Sequence, residues 1–214
     1  MIKLKPLIGY DNNGILFEKD DFIVRKIHDD YFDATKEIFE AYQNFDFKDD
    51  IVETSIDIEN KCLKHKKLTR IYPYEWTLNM YKDALLFHLE LFLKLDKLGY
   101  TLKDGLPSNV MFDNTKPVFV DFLSIVKTEN LKNEDWLFGE KKYSEPRYAV
   151  FDRMFIPFMI IPFVAMAQGK NELAREMLAK KACNMGNGQP CWSEIGLGTV
   201  KFKFKNLFKK DKFK

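Results

Sequence analysis

Leu102-Lys103-Asp104-Gly105-Leu106-Pro107-Ser108-Asn109-Val110-Met111-Phe112-Asp113 is followed, after Asn114-Thr115-Lys116-Pro117, by Val118-Phe119-Val120-Asp121. Gly105 and Pro107 mark a polar loop over 101–109, and the apolar runs 110–112 and 118–120 flank a turn at 113–117, the pattern of two short strands. Asp104 and Asn109 therefore sit five residues apart in one loop, and Asp121 ends the second strand. Three oxygen-bearing groups converge from two loops. Phosphoryl transfer from ATP needs magnesium held by hard oxygen ligands and a carboxylate at the acceptor hydroxyl. Asp104, Asn109 and Asp121 suit those roles. They equally suit a tight loop held by side-chain to backbone hydrogen bonds, with Asp121 capping the next segment.

Upstream of this loop, Leu78, Tyr81, Leu85, Leu89, Phe92, Leu95 and Leu98 recur every three or four residues, which predicts a long helix over 77–98. Thr77 supplies an N-cap and Gly99 a left-handed stop. Nearer the N-terminus, Ile15–Glu18 and Phe22–Ile27 read as a hairpin joined by Lys19-Asp20-Asp21. A helix over 30–43 follows, with Asp30 and Asp33 early, where the dipole favours acids. Between 50 and 74, the β-prone pieces Ile51–Ile58 and Leu68–Tyr72 flank the charged stretch Glu59–Lys67, which suggests an extension of the same sheet. After Trp136 the chain reads as mainly helical, including a helical pattern over 171–183, and Gly186–Gly198 is glycine-rich.

With 214 residues, 46% apolar and 31% charged, the chain has the balance of a folded domain and not of a disordered one. At this length folding buries roughly 70% of the extended surface, so disulfides and structural metals are not required. Cys62, Cys183 and Cys191 form an odd, scattered set that suits a reducing cytoplasm. The N-terminus lacks the pattern of a secretory signal, and the longest apolar run, Met154–Ala167, is shorter than a membrane span and contains Pro157 and Pro162. It reads as a kinked buried helix. The net charge of +2 divides unevenly: residues 201–214 carry seven lysines against Asp211, and the remaining 200 residues carry −4. A mildly acidic body is not the footprint of a nucleic-acid binder, and no nucleic-acid partner is expected.

The segment 102–113 with 118–121 resembles the catalytic loop and metal-binding strand of the protein-kinase-like fold, small-molecule kinases of the aminoglycoside phosphotransferase type being the closer comparison. The resemblance implies that Asp104 accepts the proton of a hydroxyl, that Asn109 and Asp121 are magnesium ligands, and that ATP is the donor. A narrower resemblance is to the kinase-like N-terminal region of some bacterial S-adenosylmethionine-dependent methyltransferases. It rests on Tyr72-Pro73-Tyr74-Glu75-Trp76, on Leu102-Lys103-Asp104 with Pro107 and Asn109, and on Phe119-Val120-Asp121-Phe122-Leu123-Ser124. It covers about residues 12–165. A methyltransferase is the partner it implies, although no methyltransferase domain is visible in the chain.

The same resemblance makes Phe22–Ile27 the strand that offers a cation to the phosphates, Lys26 or Arg25 on the opposite face, with Glu37 or Glu40 of the next helix as its ion-pair partner. Strand alternation admits only one of the two basic residues to the cleft. Residues 72–76 read as the hinge between lobes, with backbone groups near Tyr74 to Trp76 as base contacts by resemblance. Departures from the pattern are Leu102 in place of the usual histidine, no glycine after Asp121-Phe122, and no Gly-rich loop, only Gly9 and Gly14. His28, His65 and His88 are isolated and read as packing or surface residues.

The expectation is an α+β, two-lobed kinase-like fold over 1–200, with a small β-rich N-lobe to about Tyr74 and a mainly helical C-lobe from about 75. A basic Lys/Phe tail covers 201–214, where alternating Lys and Phe suit contact with an anionic membrane surface, in keeping with a peripheral place at the inner membrane face. The leading function is magnesium- and ATP-dependent phosphotransfer to a hydroxyl of a small molecule or glycan, with Asp104 as base and Lys103 as charge stabiliser. The alternative is a non-catalytic kinase-like module serving a methyltransferase in surface-glycan modification. A third reading is a membrane-associated scaffold.

Overall fold

The computed structural model describes residues 13–133 and 145–183, together with a short strand at Lys5–Pro6. The tail 201–214, the stretch 186–198, Cys191 and the side chain of Cys183 lie outside the described residues. The N-terminal part is an antiparallel sheet of β1 (Lys5–Pro6), β2 (Gly14–Lys19), β3 (Phe22–Ile27), β4 (Thr54–Asp57) and β5 (Cys62–Lys66), in the order β1-β2-β3-β5-β4. Lys19 pairs with Phe22 across a two-residue turn, and Asp20 takes the positive φ of 48° that such a turn requires. The expected hairpin is thus the second turn of a meander whose first strand, β1, is too short to announce itself.

The charged stretch 59–67 contains strand β5, and Leu68–Tyr72 is not a strand, which corrects the expected order of pieces. The cause is amphipathic alternation. Leu63 and His65 turn inward while Lys64 and Lys66 point to water, where they pair with Asp57 and Asp113. Helix α1 (Asp29–Tyr42) buries Phe32, Thr35, Ile38 and Tyr42.

Helix α2 (Leu78–Lys97) starts at Thr77, whose hydroxyl accepts from the Met80 N–H at 3.2 Å, and ends at Gly99 with φ of 79°. Its buried stripe is Tyr81, Ala84, Leu85, Phe87, His88, Leu91 and Leu95, rotated from the leucine pattern, and Leu78 and Leu98 are exposed. His88 is therefore a core residue, edge-on to Phe119 and Phe155. Two short ribbons follow: β6 (Tyr100–Leu102) pairs with β9 (Ile125–Lys127), and β7 (Val110–Asp113) pairs with β8 (Lys116–Phe119). The described residues end with α3 (Pro146–Val150), a π-helical stretch Phe151–Ile160, α4 (Ile161–Ala167) and α5 (Asn171–Cys183). The fold is α+β, as expected, a small antiparallel sheet followed by a mainly helical part.

The two parts meet through backbone as well as side chains. Val52 donates its N–H to the Phe119 carbonyl at 2.8 Å, and Ile51 bridges to the same strand in parallel. Lys94 and Lys116 both reach Asp50, at 2.7 and 3.2 Å, so the segment after α1 is pinned to α2 and β8. Residues 147–167 are long and apolar enough to span a membrane by length and composition, yet 56% of that window is buried inside the fold. Met154, Phe155, Met159, Ile161 and Ala165 fill core, and that packing accounts for the hydrophobicity.

Pro162 has no N–H to return to the carbonyl four residues back, that of Phe158, and the Tyr81 hydroxyl donates to this carbonyl at 2.9 Å. Tyr81→Phe should therefore cost about 1 kcal/mol in urea unfolding, since a partly buried carbonyl loses its hydroxyl donor while the ring remains. An unchanged unfolding midpoint would show that the bond contributes nothing.

Candidate active site

Asp104 follows strand β6, and its position is set from below. The Lys103 N–H donates to the Ser124 carbonyl at 2.8 Å, and the Asp104 N–H reaches the Ser124 hydroxyl at 3.3 Å. Gly105 packs closely on Phe155: a Cβ there would lie 3.2–3.3 Å from its backbone and Cβ, tight enough that the helix would have to give by a few tenths of an ångström. A tight turn over 107–109 then brings Asn109 back, with its N–H on the Leu106 carbonyl at 3.1 Å. The Asn109 side-chain amide donates to an Asp104 carboxylate oxygen, and the Asn109 carbonyl accepts from Val120 at 2.8 Å. Asn109 thus ties the Asp104 loop to the strand that ends at Asp121.

Asp121 lies beyond β8, at the start of a 3₁₀ turn over Phe122–Ser124. Its Oδ1 accepts a hydrogen bond from Arg25 Nη1 at 3.2 Å, an ion pair between β3 and a loop 96 residues away. The Arg25 side chain is 8% exposed and that of Asp121 23%. Next door, Phe122 is buried and edge-on to Tyr42 at 5.3 Å, with Phe39 and His65 also around it, so α1 and β5 both bear on the site. His65 is part of a short donor chain. The Thr54 hydroxyl donates to the Val52 carbonyl at 2.7 Å, so it accepts from His65 Nδ1 at 2.9 Å. Burial, with help from the charge of Arg25, lowers the His65 pKa from 6.5 to about 3 and keeps the ring neutral.

The charge of Asp121 bears on Asp104. Loss of water around Asp104 is the first cause and the negative charge of Asp121 the second, and together they push the Asp104 pKa from 3.8 up to about 7. Lys103 and the hydrogen bonds from Leu106 and Asn109 oppose the shift without cancelling it. A carboxyl held near neutrality is a group able to take and return a proton. Among the described residues, no three His, Cys, Asp or Glu side chains group closely enough to cage a metal. Magnesium does not need a cage: it takes one or two protein oxygens and fills its octahedron with phosphate and water. Asp121 and Asn109 fit that donor set and would hold the ion.

No family model matches the chain. A stretch of 86 residues, 40% of the chain, is 38% identical to the nodulation protein NoeA of Rhizobium meliloti (strain 1021), and the chain spans 17% of the length of that protein. Among solved structures, the chain is similar to the choline kinase LicA of Streptococcus pneumoniae over 96% of its own length and 93% of that chain, at 10% identity and a TM-score of 0.40.

Asp104, Asn109 and Asp121 are brought together, as the spacing suggested, with Lys103 beside Asp104 and Arg25 facing Asp121, while the acids of α1 and Trp76 are placed differently from expectation. Of the two basic residues on β3, Arg25 turns inward and Lys26 is exposed. Neither acid of α1 pairs with it: Glu37 bonds Lys127 and Glu40 lies 3.8 Å from Lys36, because both acids point to solvent. Trp76 is fully buried against Tyr81 and Phe112, so its ring is core. The backbone N–H groups of Glu75 and Trp76 are spent in the turn on the carbonyls of Tyr72 and Pro73, at 2.8 and 3.3 Å. Tyr74 is half-buried and stacks on Tyr72 at 5.3 Å. The residue that sequence reasoning missed is Ser124, buried beneath Asp104, and its only signal was its place in the Asp121-Phe122-Leu123-Ser124 run.

A carboxyl whose pKa is raised on folding favours the native state at acid pH, and that contribution is lost as the pH climbs through the raised value. Asp104→Asn removes the charge and keeps the shape. Its melting temperature should exceed that of the wild type by about 4–8 °C at pH 8, corresponding to roughly 2 kcal/mol, with the gap closing as pH falls from 7 toward 4. A gap that does not depend on pH would mean that Asp104 does not carry a raised pKa.

Proposed function

We propose that this chain is a phosphotransferase that uses ATP and magnesium and passes the γ-phosphoryl group to a hydroxyl of a small molecule or glycan. The observation that carries the reading is the meeting of Asp104, Asn109 and Asp121 from two loops with a buried cation, Arg25, delivered from the sheet. Asp104 orients the acceptor hydroxyl and takes its proton, and its raised pKa places that exchange near neutral pH. Arg25 supplies a forked cation suited to phosphate oxygens. Lys103, beside Asp104, bears on charge that develops on the transferring group. Magnesium, when bound, neutralises phosphate charge, and Asp121 and Asn109 are the residues of this chain that would hold it.

A second reading is favoured by one observation, that Asp121 is already neutralised by Arg25. In it the chain is a kinase-like module without turnover, serving a methyltransferase partner in the modification of a surface glycan. The chain's match to a small part of a much longer protein suits a module of this kind. Contact of the tail Lys201–Lys214 with anionic membrane is a further proposal, tested by cosedimentation with anionic vesicles after deletion of 201–214.

Thermal-shift titration separates the two main readings without knowledge of the acceptor. ATP with magnesium should raise the melting temperature of the wild type and of Asp104→Asn, and should not raise that of Asp121→Asn. In an acceptor screen with labelled γ-phosphate, Asp104→Asn should lose about 10²–10⁴ in rate, and wild-type turnover should fall on the acid side, because the base must be deprotonated. No shift at millimolar ATP would favour the module without turnover, and full activity in Asp121→Asn would refute the assignment of the metal ligand.

A further inference from the structure

The ion pair that joins the sheet to the site has a second consequence, which rests on the phosphotransferase reading. Arg25 belongs to the middle strand of the sheet, opposite Leu16 on β2 and Leu63 on β5, so its backbone is held on both sides. Its side chain is buried, and its Nη1 lies 3.2 Å from Oδ1 of Asp121, the carboxylate best suited to a divalent cation. Around the pair stand Asp104, half-buried and negatively charged when ionised, Lys103 from the loop, and His65, which is neutral. A guanidinium in this place does for Asp121 what a metal would do: it neutralises that carboxylate and satisfies one of its oxygens.

We propose that Arg25 is a resident counter-ion for Asp121 that a divalent cation must displace, and that nucleotide phosphates release it by offering the guanidinium a forked partner of their own. A carboxylate oxygen and a phosphate oxygen compete for the same donors, and phosphate accepts two parallel N–H bonds from arginine. With Arg25 on Asp121, the free protein binds a bare divalent cation poorly. With Arg25 drawn to phosphate, Asp121 turns to the cation. The site therefore admits cation and nucleotide together and resists idle loading with metal.

Removing the guanidinium should move two affinities in opposite directions. In Arg25→Gln, the Asp121 carboxylate loses its counter-ion, so Mn²⁺ alone, followed by its electron paramagnetic resonance signal without nucleotide, should bind about tenfold more tightly than to the wild type. ATP in EDTA, followed by calorimetry, should bind about tenfold more weakly. Unchanged or weaker Mn²⁺ binding in a folded Arg25→Gln, while the wild type still binds Mn²⁺ with ATP, overturns the counter-ion role and leaves the phosphotransferase reading standing. A wild type that binds neither Mn²⁺ with ATP nor ATP alone overturns both. If Arg25→Gln does not fold, the test moves to the unaltered protein. Tripolyphosphate in EDTA should shift the nitrogen-15 resonance of the Arg25 guanidinium, assigned through Arg25→Lys, and a resonance that does not move overturns the proposal.

Discussion

Asp104 and Asp121 are two carboxylates held near enough for the charge of one to raise the pKa of the other, in surroundings that strip water from the first. Left to themselves they repel and oppose folding. The molecule answers with a cation from outside the loops, Arg25, buried on the central strand of the sheet. The N-terminal sheet is thereby coupled to the loops beyond α2 through charge as well as through packing. The pair also explains why this region carries a cost in stability, since ionisation of the buried Asp104 disfavours the native state.

The rest of the fold holds that pair of carboxylates in place. Val52 bonds the strand leading to Asp121, Asn109 joins the Asp104 loop to the same strand, and Ser124 carries the backbone of Lys103 and Asp104. Below them, Gly105 rests on Phe155 in the π-helical stretch, and His88 of α2 sits between Phe119 and Phe155. Phe122 links Asp121 to α1 and β5. A change in α1 or in the helical core would reach the chemistry through these few contacts.

Much of this was legible in the chain itself where signals were dense and local. The long helix carried a cap, a stop and a periodic stripe, and the loop with Asp104 and Asn109 was marked by Gly105 and Pro107. Strand β5 was hidden because its outward lysines made it resemble a charged connection, and β1, β6 and β9 are only two or three residues long, formed by partners that no local pattern names. Alternation said that one of Arg25 and Lys26 faces inward. It could not say which, nor that the partner is Asp121 and not an acid of α1, because the contact closes over 96 residues. Trp76 lies in the stretch expected to contact a base, and its complete burial assigns its ring to the core.

The most direct measurement is a crystal structure of the full chain grown with magnesium and a non-hydrolysable ATP analogue. The ion should lie about 2.1 Å from oxygens of Asp121 and Asn109, with Arg25 turned from Asp121 to the phosphates and the Asp104 carboxylate facing the γ-phosphate. An analogue seated elsewhere, as in the 480 Å³ hollow lined by Tyr42, Glu53, Lys66 and Asp113, with the Arg25 to Asp121 pair intact, would contradict it.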